Sequence, residues 1–193
     1  MKSRLLKISS ILIAGLIFVG CAGAGYQTAP SNLENATKEI KIENDKFKNM
    51  TVISTPAYLI RKGFTDTFPV IMSLKAGKDK DVYKFIKIEL KIADVSSGMY
   101  YEAVGEDGYN FSFKEIDANE IVSSVKTTTV TNNYAHSNTL IIKQDYIELY
   151  LTFEQLKKML EKDYDIKIYG KKKEGVFSIP KHITEEFYNK LIK

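Results

Sequence analysis

Cysteine occurs once in the 193 residues, at Cys21, and tryptophan is absent. A lone cysteine excludes an internal disulfide, so stability must come from burial. It also excludes the paired thiols of redox and zinc motifs. Histidine occurs only as His136 and His182. Each stands alone, and a zinc site needs three or four converging ligands. No apolar run reaches the ~20 residues of a spanning helix. There is no G-x-S-x-G elbow and no phosphate loop. Ser123-Ser-Val-Lys126 matches S-x-x-K, but its S-D-N and K-T-G companions are missing. Asp79 and Asp81 alternate with lysines in a stretch that lacks the other oxygens of a calcium loop. Glu185-Glu186 fits the charge preference of a helix start better than acid–base work. These absences leave no recognisable enzyme, and no metal or cofactor is expected.

What is present begins at the amino terminus. Lys2, Arg4 and Lys7 form a basic start with no acidic residue among them. Ile8 to Val19 is then apolar apart from Ser9 and Ser10. That is the length of a secretory apolar region, too short to span a bilayer. Small residues follow from Gly20 to Gly25. Phe18-Val19-Gly20-Cys21 resembles the lipobox of bacterial lipoproteins, with Phe18 in place of the usual Leu. The resemblance implies that residues 1–20 are a signal peptide removed before Cys21. It also implies that the Cys21 thiol carries a diacylglyceryl group and its new amino group a further chain such as palmitate. One acyl chain holds a protein marginally; two or more hold it stably.

All 24 acidic residues follow Cys21, while Lys2, Arg4 and Lys7 precede it. The processed chain is therefore almost neutral. Its basic total supports no nucleic-acid partner. Residues 21–37 are small and polar and include Pro30, which predicts a flexible lipid-anchored tether. Residues 38–193 are long enough for one domain with its own core.

Period two dominates that domain. Ile86, Ile88, Leu90 and Ile92 alternate with Lys87, Glu89 and Lys91. Such alternation predicts a sheet with one buried and one wet face. Further strands are expected over 39–43, 50–55, 58–60, 68–74, 122–131, 139–142 and 146–151. Pro56 should break the second from the third, and Asn132 to Asn138 should form a polar turn. Met99 to Val104 and Tyr109 to Phe113 flank Gly105-Glu-Asp-Gly108, a hairpin loop. The period changes at Thr152. Thr152-Phe-Glu-Gln155 reads as a capping box before a helix to Lys162, with Leu156 and Leu160 inward. A hairpin over 164–179 and a terminal helix over 184–193 follow, with Phe187 and Leu191 inward. The expected fold is α+β, mainly antiparallel sheet, with two short C-terminal helices on one face.

Asp45-Lys-Phe47 leading into Met50–Thr55, with Tyr146 to Leu160 late in the chain, resembles a broad set of uncharacterised bacterial envelope proteins. That resemblance carries no activity. The expectation is a lipid-anchored binding or structural module, attached to the membrane through Cys21. A periplasmic enzyme without a recognisable motif and a carrier of a small apolar ligand are the alternatives. The periplasmic face is expected, on the outer membrane if the source has one. An envelope protein or a glycan is the expected partner. Tyr100 and Tyr101, in an aromatic-rich hairpin, and Lys171, Lys172 and Lys173, in a late turn, are the candidate contacts.

Overall fold

The computed structural model describes residues 26–28, 39–60, 70–80, 82–94, 97–116, 125–131, 134–140 and 143–193. The expected signal peptide and Cys21 lie outside them, as do Ser123 and Ser124. The strands are β1 (Tyr26–Thr28), β2 (Lys41–Asp45), β3 (Met50–Ser54), β4 (Ala57–Ile60), β5 (Val70–Asp79), β6 (Val82–Asp94), β7 (Tyr100–Gly105), β8 (Ser112–Ile116), β9 (Val125–Thr131), β10 (Tyr134–Leu140), β11 (Lys143–Tyr150), β12 (Tyr164–Gly170) and β13 (Gly175–Ile179). The helices are α1 (Phe153–Lys158) and α2 (Lys181–Leu191). The fold is α+β and mainly antiparallel, as the period-two pattern predicts.

The main sheet runs β1-β4-β5-β6-β11-β8, with β3 also on β5 and β2 on β3. A second sheet runs β13-β12-β7, and β9 pairs with β10. The long strand β5 carries two shorter ones on one edge, β4 beside Val70–Met72 and β3 beside Lys75–Lys78. They are separated by Thr55-Pro56. Proline has no amide to donate, and the ladder is mended beside it. Thr55 donates its amide to Leu74 O (3.0 Å), and its Oγ1 accepts from Leu74 N (2.9 Å).

One core joins the layers. The inner face of the main sheet buries Met72, Leu74, Ile88, Leu90, Ile147 and Leu149. The second sheet meets it with Ile166, Ile168 and Phe177, the helices add Leu156 and Phe187, and Met159 follows at the end of α1. A bulge shifts the register where Gly77 pairs with Phe85 and Lys78 with Tyr83. The extra residue turns Tyr83 to the helix side. There it stacks on Phe153 (5.6 Å between centroids) and donates its hydroxyl to Leu191 O.

Several expectations are corrected. Tyr26–Thr28, inside the expected tether, forms a strand parallel to β4; a sheet edge with unpaired amides and carbonyls accepts such a segment. Tyr134–Leu140 is strand, so the connection expected over Asn132 to Asn138 is shorter. The stretch of alternating lysines and aspartates, expected as a plain solvated turn from Gly77, is still β5 as far as Asp79, which pairs with Lys84 (3.5 Å). Helix α1 ends at Lys158, leaving Leu160 half-buried beyond it while Leu156 is fully buried. Thr152 Oγ1 accepts from the Gln155 amide (3.1 Å) as a capping box requires, but the Gln155 side chain does not return to Thr152. It is drawn to Tyr164 and Asp107. Helix α2 begins at Lys181 rather than Thr184, because Asp163 Oδ1 accepts the Lys181 amide (2.9 Å) and satisfies one open donor of the first turn.

Candidate functional site

The sequence points to a corner built from β7 and the β12–β13 turn. Strand pairing brings its parts together: Gly170 lies opposite Tyr100. The amides of Lys171 and Lys172 donate to the carbonyls of Met99 and Gly98, each at 3.1 Å. The lysine turn is therefore fastened by its backbone, while the side chains of Lys171 and Lys172 stay exposed and Lys173 is half-buried. Tyr101 is 55% exposed beside it, but Tyr100 is only 2% exposed. Tyr100 is a core residue and is removed from the expected contact set. The reason is alternation, because adjacent strand residues point to opposite faces. Its ring fills the space over Gly98 and Gly170, where an added Cβ would lie 2.1 Å and 2.9 Å from ring atoms. The corner that remains is Tyr101, Met99, Lys171 and Lys172: an aromatic, an aliphatic and two cations.

A polar knot forms where the two sheets meet. The turn after β7 sends the chain from the second sheet to the main one, so β7 pairs with β12 and β8 with β11. At that turn Asp107 Oδ1 accepts the Tyr109 amide (3.2 Å) and the Tyr164 hydroxyl. Gln155 Nε2 donates to Tyr164 Oη (2.7 Å) and Asp107 Oδ2 (3.2 Å). Gly105 makes room for this: a Cβ there would lie 1.9 Å from the Tyr164 oxygen. Lys158 stands 3.6 Å from Asp107. A cavity of about 470 Å³ opens beside the knot, lined by Glu106, Asp107, Lys158, Glu161, Lys162 and Tyr164.

The hydrogen bonds of the knot tie the turn after β7 to α1 and β12. Burial, with the hydrogen bond to Asp107 second, pushes the Tyr164 phenol far above its ordinary value. It therefore stays protonated at neutral pH. Burial also pushes the Asp107 carboxyl up, but hydrogen bonds from Tyr164 and Gln155 outweigh it and hold the group below the usual range. It is therefore charged near neutrality. Each group is spent on another.

The same holds on the outer face of the main sheet. Lys87 contacts Glu148 and Glu89 (2.8 Å to the latter), Lys75 contacts Glu89 (2.7 Å), and Tyr150 donates to Glu148. Burial pushes Glu148 up, but Lys87 and Tyr150 pull it lower overall. Lys87–Glu148 and Lys75–Glu89 are cross-strand pairs that support register, while Lys87–Glu89 and Tyr150–Glu148 join residues two apart along β6 and β11. Among the described residues, no three Asp, Glu, His or Cys side chains converge as a metal site would need.

One exposed feature was outside the sequence expectation. Phe47 is fully exposed between Lys46 and Lys48 at the tip of the β2–β3 hairpin. Val82, beside the neighbouring β5–β6 turn, is also exposed. The signal was legible as an aromatic flanked by lysines in a four-residue turn. A large apolar side chain at a loop tip has no core to enter.

No family model matches the chain, and no curated protein or solved structure does so either.

Proposed function

We propose that the protein is a lipid-anchored module of the cell envelope, held to the membrane by acyl chains on Cys21, and that it binds or scaffolds rather than catalyses. The observation that carries this is the order of the first twenty-one residues: basic start, short apolar run, small residues, and the only cysteine of the chain at their end. The fold supports the binding role. Its polar clusters at Asp107–Tyr164 and at Lys87–Glu148 are consumed by internal contacts. The exposed corner of Tyr101, Lys171 and Lys172 suits an anionic or polar partner, an envelope protein or a glycan, with the aromatic ring supplying area and the lysines charge.

Intact mass of the protein isolated from membranes tests the anchor. The expected mass lacks residues 1–20 and includes a diacylglyceryl group with a further acyl chain. Cys21→Ser should retain residues 1–20 and carry no lipid. An unmodified Cys21 in the wild type would overturn the reading.

A further inference from the structure

We infer that the domain lies against the bilayer with the Phe47 tip inserted, so that the anchor and this tip form one two-point membrane attachment. The inference rests on the lipid at Cys21 proposed above.

The tip is built to present its side chains. Asp45 Oδ1 accepts the amides of Phe47 (3.0 Å) and Lys48 (3.1 Å), which closes the turn without using either side chain. Asn49 (φ 50°) and Lys80 (φ 54°) adopt left-handed backbone in the two adjoining turns. These turns lie at the same end of the sheet. Asp45 pairs with Met50, Thr51 with Lys78, and Asp79 with Val82. Phe47 and Val82 are therefore about two strand spacings apart, roughly 10 Å. Around them stand the exposed Lys46, Lys48, Lys80 and Lys84, with Lys78 over the Tyr83 ring at 5.8 Å. Asp45, Asp79 and Asp81 share this part of the sequence, and the lysines outnumber them. An apolar tip ringed by lysines fits an interface whose headgroups are anionic and whose interior is apolar.

The direction of the chain supplies the independent argument. Strand β1 is parallel to β4, with Gln27 opposite Tyr58, and Tyr58 lies opposite Met72. Strand β5 runs from Met72 toward the tip at Lys80, so β1 enters the sheet from the tip side. Cys21 is six residues before Gln27, a reach of at most about 20 Å. The tip lies eight residues beyond Met72, about 26 Å along the strand. A lipid on Cys21 is therefore tied within that reach of Gln27, and a chain continuing back along the line of β1 leads toward the tip end of the sheet. The Lys171–Lys172 turn is fastened to Gly98, whose amide donates to Asp145 Oδ2 (2.9 Å). Asp145 shares its row with Ile92 and Val70, at the opposite end of β5. The candidate partner corner thus faces away from the membrane.

The absence of tryptophan gives a clean test. The full lipidated protein carrying Phe47→Trp has a single indole at the tip, and Tyr101→Trp has one at the far end. Each is reconstituted in vesicles of phosphatidylethanolamine and phosphatidylglycerol, with and without lipids brominated on the acyl chains. The expected result is blue-shifted emission for Phe47→Trp and quenching several-fold stronger than for Tyr101→Trp. Adding Lys46→Glu and Lys48→Glu should reduce both the shift and the quenching. Water-like emission from Phe47→Trp, or equal quenching at the two positions, would overturn the orientation. Intact mass on the same samples separates the failures. An unmodified Cys21 overturns the anchor and this orientation together, whereas a lipidated Cys21 with an unquenched Phe47→Trp overturns the orientation alone.

Discussion

The turn between β2 and β3 and the turn after β7 use the same local device. In each, an aspartate Oδ1 accepts the amide two residues on: Asp45 from Phe47 and Asp107 from Tyr109. Their surroundings then diverge. Asp107 also receives Tyr164 and Gln155, from elements far along the chain, and ties the corner between two sheets to α1. Among the described residues Asp45 bonds within its own turn, and Phe47 stays in water. A turn that reaches long-range partners is part of the fold. A turn that presents an aromatic without using it is available for contact. Local chemistry closes both turns, and the partners decide what each is for.

The largest effect should come from the frame to which the Asp107 turn is tied. Helix α1 directs Gln155 into the knot and Leu156 into the core, where it is fully buried. Leu156→Ala should cost ~2–5 kcal/mol through lost transfer energy and the cavity left behind. That is a large share of the ~5–15 kcal/mol of a typical domain. Thermal or urea unfolding measures it. A wild-type midpoint would mean that α1 is not anchored and that the knot hangs from a loose segment.

A smaller loss should follow from breaking the knot itself. Tyr164→Phe leaves Gln155 Nε2 and Asp107 Oδ1 without their shared hydroxyl, at a cost of ~1–3 kcal/mol. The knot also carries a pH dependence. The Asp107 carboxyl sits below its ordinary value, because the hydrogen bonds outweigh the burial that pushes it up. A depressed carboxyl contributes stability that is present above the unfolded value, ~3.9 for Asp, and is lost as pH falls through the folded value. Asp107→Asn should therefore flatten part of the acid limb of stability. Glu89 and Glu148, also held low against burial by their lysine contacts, contribute to the same limb. An unchanged acid limb in Asp107→Asn would mean that the knot does not favour the charged carboxylate.

The sequence discloses what is periodic or local. The alternation of Ile86 to Ile92 with Lys87 to Lys91 announces β6, and it reads both faces correctly. Thr152 announces the start of α1, and Phe187 and Leu191 the inner side of α2. What it withholds depends on pairing across the chain. The hairpin around Gly105-Glu-Asp-Gly108 is visible, but not that its two arms enter different sheets, because that choice is made by β12 and β11. The destination of Gln155 is likewise set by Tyr164, nine residues on. Tyr100 and Tyr101 are equal in composition and are told apart only once register fixes which one faces inward. The bulge at Gly77 that turns Tyr83 inward has no local mark either. Of the candidate corner, the lysine turn was legible and its partner segment Gly98-Met99 was not.

The smallest effect should be at Phe47, and it bears most directly on the contrast between the turns. The closing hydrogen bonds of its turn run from backbone amides to Asp45 and make no use of the ring. The side chain is fully exposed, so its removal exposes no new apolar surface and leaves no cavity. Phe47→Ala should accordingly unfold within ~0.5 kcal/mol of the wild type, as surface substitutions do away from buried or capping features. The same substitution should weaken attachment of the domain face to anionic vesicles. Unchanged stability together with weaker vesicle binding is the signature of a residue kept for something outside the fold. If Phe47→Ala instead lowers the midpoint as far as Tyr164→Phe, the ring is packed in solution and the two turns are alike. The aromatic would then belong to the fold, and the tip would have nothing to insert.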